Sequence, residues 1–177
     1  MNILVLNGSP RKNGNTQIMV SEFKRGAEEA GHKVAEFPVA MMDIHPCIAC
    51  ESCFRNDGKC FRKDDMSKIY EALDESDLLV IASPVYWYSL TAQMKTAIDR
   101  FYAYLLKGYR IKSAVLLLNA HDSNESVFDT SVSNYRQIIG YTKWKDEGII
   151  TLPGMNYKGA AEKSPKLKDV YELGRNL

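Results

Sequence analysis

No apolar run in this chain approaches the ~20 residues that span a bilayer. No excess of either charge exists: 23 Lys and Arg face 22 Asp and Glu, for a formal net charge of +1. No basic stripe with interleaved aromatics is visible, so nothing in the composition advertises nucleic acid or an anionic membrane surface. Both common nucleotide fingerprints are missing. There is no G-x-x-x-x-G-K-[ST], so Lys12 is not a P-loop lysine, and no G-x-G-x-x-G. Repeats, linkers and low-complexity segments are absent too, which at 177 residues predicts one domain over 1–177. The first strand begins at Asn2, leaving no room for a signal peptide, and the chain reads as cytoplasmic.

What is present is an alternation. Short apolar runs at 2–7, 33–39, 77–82, 113–119 and 147–152 predict strands. Between and after them, helical periodicity marks 15–31, 65–73, 91–105, 126–140 and a last helix from Ser164-Pro165 to the C-terminus. The predicted inward faces are Met19, Phe23, Ala27 and Ala30; Met66, Ile69, Tyr70 and Leu73; Met94, Ala97, Ile98, Phe101 and Leu105; and Phe128, Val132, Tyr135 and Ile139. Ser126 and Asp129 have capping-box spacing, and Ser164-Pro165 reads as a cap followed by a first-turn proline. Five strands alternating with five helices predict an α/β fold with a parallel sheet covered on both faces, its strands continuous apolar runs as burial on both sides requires.

Two loops carry chemistry. Gly8-Ser9-Pro10-Arg11-Lys12-Asn13-Gly14-Asn15-Thr16 follows the first strand and opens a helix. A helix N-terminus offers unpaired N–H groups and the positive end of a dipole. Ser9, Asn13, Asn15 and Thr16 add polar groups, Gly14 adds space and Arg11 adds charge, which suits a phosphate; a plain βα turn would also use Gly, Ser and Asn. Ser83-Pro84-Val85-Tyr86-Trp87-Tyr88 ends the third strand. Ser-Pro forces extended backbone, and the aromatics suit the face or rim of a flat ring, or else are core residues that follow a strand. The order of the loops decides. In the sheet order 2-1-3-4-5, strands one and three are neighbours at the switch point where a crevice opens. An anion-binding loop and an aromatic loop there point to flavin mononucleotide (FMN).

Together, Gly8 to Thr16 and Ser83-Pro84-Val85-Tyr86-Trp87 through Asp99-Arg100 resemble the flavodoxin-like NAD(P)H-dependent FMN reductases over the first ~110 residues. The resemblance implies a flavodoxin-like three-layer sandwich of order 2-1-3-4-5. It also implies hydride transfer from NAD(P)H to FMN, then electron transfer to a flavin, quinone or other small acceptor. Ser9, Arg11, Asn15 and Thr16 would hold the phosphate, and Pro84, Val85, Tyr86 and Trp87 would line the ring. A third loop, after strand four, would approach the ribityl chain. Many relatives are glycine-rich there, whereas this chain has Asn119-Ala120-His121-Asp122-Ser123. No acid–base residue is implied. A homodimer is the expected assembly, with the cysteine loop and helix 91–105 as contacts and Tyr102, Tyr104 and Tyr109 as candidates for its surface.

The four cysteines fall in the irregular stretch 41–62, spaced Cys47-x2-Cys50-x2-Cys53-x6-Cys60. A loop that long is usually functional. Four thiolates suit a [4Fe–4S] cluster. Zinc usually takes two separated C-x-x-C pairs, and reduced thiols that pack the loop or oxidise reversibly remain a further reading. The cysteine pattern followed by Asp64-Asp65-Met66 is similar to the branch that includes the iron–sulfur flavoproteins. The remaining polar candidates are plainer. His32 and His45 read as solvated, His121 as the histidine best placed for a flavin, and Asp99-Arg100 as a structural pair or subunit contact.

Overall fold

A computed structural model describes residues 1–106, 108 and 110–177, with Leu105 by its backbone alone. Five strands, β1 (Asn2–Asn7), β2 (Lys33–Phe37), β3 (Leu78–Pro84), β4 (Ser113–Asn119) and β5 (Lys145–Leu152), form one parallel sheet of order β2-β1-β3-β4-β5. The helices are α1 (Asn15–Glu29), α2 (Met66–Glu75), α3 (Ala92–Leu105), α4 (Asp129–Thr142) and α5 (Leu167–Arg175). No helix among the described residues is long and apolar enough to cross a membrane.

Strand alternation divides the core in two. Leu4 and Leu6 of β1, with Leu79 and Ile81 of β3, pack against α2, α3 and α4. Ile3 and Val5, with Leu78 and Val80, pack against α1 through Met19, Val20, Phe23 and Ala27, and against α5 through Val170. The central strands β3 and β4 are buried at every position, as their unbroken apolar sequences require. The edge strands differ: β2 has no buried residue and β5 is buried only at Leu152, because each has one free side.

Several local expectations change. Ala30 is exposed, since α1 has already ended at Glu29. The fourth helix opens with a 3-10 turn at Glu125–Phe128, capped by Asn124 accepting from the Ser126 N–H at 3.1 Å, so Ser126 is the capped residue and not the cap. Ser164-Pro165 precedes α5 as a turn, with the Ser164 carbonyl accepting from Leu167 N–H and no side-chain cap. Tyr104 is a core residue, 2% exposed, whereas Tyr102 stands on the surface. Tyr109 lies outside the described residues.

Helices α1 and α5 touch backbone to backbone. A Cβ on Gly26 would sit 2.1 Å from the Tyr171 carbonyl oxygen, and one on Gly174 would sit 2.3 Å from that of Phe23. Alanine normally gains about 1 kcal/mol over glycine inside a helix. Here Gly26→Ala is expected to lower stability by about 1–3 kcal/mol, because the helices must part. Urea denaturation measures it, and a stability equal to or above wild type would contradict the close crossing.

Candidate functional site

Register brings the strand ends level. Asn7 pairs with Ala82, Pro84 with Asn119, and Asn119 with Leu152, so the loops after β1, β3, β4 and β5 share one edge of the sheet. Between them opens a cavity of about 250 Å³. Its lining brings together Ser9, Arg11, Gly14, Asn15 and Thr16 from the first loop, Pro84, Val85 and Tyr86 from the second, and Asn119, Ala120 and His121 from the third. Asn13 and Trp87 do not line it. Asn13 is exposed in the left-handed region at φ 54°, and Trp87 is 94% exposed.

The first loop is anchored from beneath. Gly8 N–H donates to the Ala82 carbonyl at 2.8 Å, and Thr91 Oγ1 donates to the Gly8 carbonyl at 2.8 Å. Gly8 is required for this approach, since a Cβ would lie 2.9 Å from both Met94 Cβ and Thr91 Oγ1. Asn7 Oδ1 accepts from Ser9 N–H at 3.0 Å, while its amide nitrogen donates to Gln17 and Glu36. Helix α1 then starts at Gly14 with no side-chain cap and no acidic residue in its first turn. A helix end open toward a polar cavity is a ready anion site.

Asn15 differs from the expectation as well. The Asn15 side chain is engaged with the loop after β5: it donates to the Met155 and Tyr157 carbonyls and accepts from Gly159 and Ala161 N–H. It therefore pins that loop against the cavity. As a result Met155 and Asn156 join the lining, which sequence reasoning missed. The signal was available in the topology, because β5 neighbours β4 and its following loop must meet the third one. Thr16 Oγ1 accepts from Asn119 Nδ2 at 2.7 Å and so keeps its own proton free to donate.

Tyr86 and Ser89 exchange backbone hydrogen bonds at 2.9 and 3.1 Å, closing a two-residue turn whose central residues, Trp87 and Tyr88, sit at φ 48° and 62°. A turn with both central residues at positive φ favours Asn-Gly; bulky aromatics there are strained.

The cysteine loop forms a second cavity, of about 470 Å³, lined by all four cysteines together with Arg62 and Arg100. Cys47 and Cys50 are exposed, Cys53 and Cys60 half-buried. Among the described residues no group of three His, Cys, Asp or Glu side chains stands close enough to hold a metal ion. A hydrogen bond with Ser52 pulls the Cys50 thiol below its ordinary range. The base of the loop is closed by Arg100, whose partner is not its neighbour Asp99 but Asp64, at 2.7 Å, in a pair 2% and 1% exposed. Asp99 pairs instead with Lys95 on the surface.

Residues 1–127 match the family described as NADPH-dependent FMN reductase. The chain belongs to that family. An iron-sulfur flavoprotein of Methanosarcina thermophila is 32% identical over 185 residues, which cover 98% of this chain and 96% of that protein. One from Archaeoglobus fulgidus is 39% identical over 97 residues, 55% of this chain and 44% of that protein. Against it and similar relatives, the chain spans about half the length of the curated protein. The NAD(P)H:quinone oxidoreductase from Methanothermobacter marburgensis has the same fold, with a TM-score of 0.77 over 99% of this chain and 98% of that one at 20% identity.

Within this FMN reductase fold the strained aromatic turn yields a direct test. Trp87→Asn combined with Tyr88→Gly is expected to raise the stability of the flavin-free chain by about 1–2 kcal/mol, since both residues then tolerate positive φ. A higher midpoint in urea is the expected reading. An unchanged or lower one would mean that the turn carries no strain.

Proposed function

We propose that this chain is an FMN-dependent oxidoreductase that takes hydride from NAD(P)H and passes electrons to a small acceptor such as a flavin or quinone. The observation that carries the reading is the single cavity where an uncapped helix start, Arg11 and the extended Pro84-Val85 segment converge. The residues fit the cofactor. A phosphate close to a dianion would meet the open N–H groups of α1, the hydroxyls of Ser9 and Thr16 and the Arg11 charge. When bound, FMN supplies the hydride-accepting N5 and the onward transfer of electrons. Pro84, Val85, Tyr86 and Ala120 would orient the ring, and donor and acceptor would exchange at its uncovered side. Trp87 at the exposed turn would shield the ring's rim or meet a second subunit in a homodimer. Light scattering would show the dimer.

The test is equilibrium dialysis of the purified chain with FMN, followed by anaerobic addition of NADH or NADPH. Bleaching of the bound flavin is expected. A chain that retains no FMN, or bound FMN that neither nucleotide reduces, would overturn the reading.

A second reading is an iron–sulfur flavoprotein, an electron carrier with a [4Fe–4S] cluster on Cys47, Cys50, Cys53 and Cys60. The favouring observation is that all four thiols line one cavity, with two buried arginine N–H groups unpartnered in its walls. That donor set fits a four-thiolate cluster in chemistry, though the loop must draw in to bring the sulfurs together. Iron and sulfide analysis of anaerobically purified protein separates the readings.

A further inference from the structure

The walls of the cysteine cavity hold two arginines whose hydrogen bonding is incomplete. Arg100 is 2% exposed. Its Nη1 donates to Asp64 Oδ2 at 2.7 Å and to the His45 carbonyl at 2.8 Å, and its Nη2 donates to Asp64 Oδ1 at 3.2 Å. Its Nε is buried with no partner, and so is the Nε of Arg62. An unmet buried donor costs about 1–3 kcal/mol, and more on a charged group. Two of them beside four thiols in one cavity call for a common acceptor.

We propose that Arg62 and Arg100 donate to the cysteine sulfurs of a [4Fe–4S] cluster, steadying its negative charge and raising its reduction potential, with Asp64 holding Arg100 in position. The inference rests on the iron–sulfur reading above. A cluster on four thiolates is anionic and gains a further negative charge on reduction. N–H donors and positive charge next to its sulfurs therefore favour the reduced form. The acidic groups on the cavity lining are Glu51 and Asp99. Both are exposed, and Asp99 is paired with Lys95, so solvent screens them. Arg100 is buried against the Asp64 carboxylate, whereas Arg62 is half-buried with its Nε enclosed, so the positive balance against the sulfurs comes from the Arg62 guanidinium. Arg62 lies inside the loop and Arg100 on α3. Donors thus come from both the loop and the helix that line the cavity, an arrangement that would draw the loop inward as the cluster loads.

The experiment uses the full chain, purified anaerobically and reconstituted with ferrous iron and sulfide. Iron per chain is measured first. The potential of the iron centre is then followed by electron paramagnetic resonance in a redox titration of wild type, Arg62→Met and Arg100→Lys. Both variants are expected to keep their iron and to shift the couple to more negative potential. For Arg62→Met the oxidised-to-reduced ratio at fixed poise should rise about tenfold, or about 59 mV for a one-electron couple. Full iron with an unchanged potential in Arg62→Met would overturn the inference while leaving the cluster standing. Wild type that takes up no iron would remove the iron–sulfur reading and the inference with it. Arg62 has no part in the Asp64 pair, so its variant decides the matter even where Arg100→Lys weakens the fold.

Discussion

Replacing Asp64 with alanine is expected to destabilise the protein by about 3–5 kcal/mol, far more than loss of any surface ion pair. The Asp64 carboxylate accepts two bonds from Arg100, one from His45 N–H at 3.1 Å and one from Met66 N–H at 3.2 Å. It thereby ties three segments together: the entry of the cysteine loop, the start of α2 and the middle of α3. Its removal strands a guanidinium that is 2% exposed, together with two backbone donors. By contrast, the exposed pair Lys24–Glu28 contributes about 0.5 kcal/mol or less. Burial alone would raise the Asp64 pKa; the Arg100 hydrogen bonds, the two backbone N–H groups and the Arg100 charge outweigh it and hold the carboxyl below its ordinary 3.8. A depressed carboxylate stabilises the folded state fully above the unfolded pKa and loses that contribution as pH falls through the folded one. The difference between wild type and Asp64→Asn should accordingly be constant from neutral pH down to about 4 and shrink below it. Urea melts at a series of pH values read this directly. A loss under 1 kcal/mol at neutral pH would show that the pair does not hold the loop. Replacing both partners by apolar residues of matching size should cost much less than Asp64→Ala, since neither charge is then stranded.

The sheet and its order were legible in the sequence because hydrophobic periodicity and chain topology leave few alternatives. Runs such as Leu78-Leu79-Val80-Ile81 lie in a sheet covered on both faces, and the loops that follow them must then meet at the switch point. Most residues on the cavity wall followed from loop position, with Asn13 and Trp87 expected there and lying outside it. Their partners did not. That Asn15 would turn its side chain to residues 155–161, or that Arg100 would pair with Asp64 across 36 positions rather than with adjacent Asp99, depends on packing distances that no local pattern encodes. The helix caps failed for a related reason. Asn124 and Ser126 are both competent caps two residues apart, and the path of the preceding chain selects between them. Met155 and Asn156 carry no polar motif, so only the sheet order places them. The cysteine spacing brings all four thiols to one cavity, while no three His, Cys, Asp or Glu side chains among the described residues stand close enough to hold a metal ion. The two arginines in its wall were invisible, because a buried donor without a partner has no sequence signature.

Removing the charged and hydroxyl groups of the first loop should separate the two ends of the flavin. The double variant Ser9→Ala, Arg11→Ala is expected to bind FMN about 10²–10³ times more weakly and riboflavin, which lacks the phosphate, about as well as wild type does. Each lost bond to a charged phosphate is worth about 1.5–3 kcal/mol, and some is recovered because Arg11 is exposed and a solvated lysine or water can substitute in part. Ser9 is the more informative of the two. It is 8% exposed, and its Oγ already accepts from Arg11 N–H at 3.3 Å, which leaves the hydroxyl proton to donate into the cavity. The alanine takes away that donor and also frees the Arg11 backbone. Raised salt should weaken FMN binding by wild type more than by the variant, since only the wild-type loop brings the Arg11 charge to the phosphate. Isothermal titration of wild type and variant with both flavins at two salt concentrations gives every affinity needed. Equal losses for FMN and riboflavin would mean that the variant disturbed the ring pocket. An unchanged FMN affinity would place the phosphate somewhere other than the start of α1.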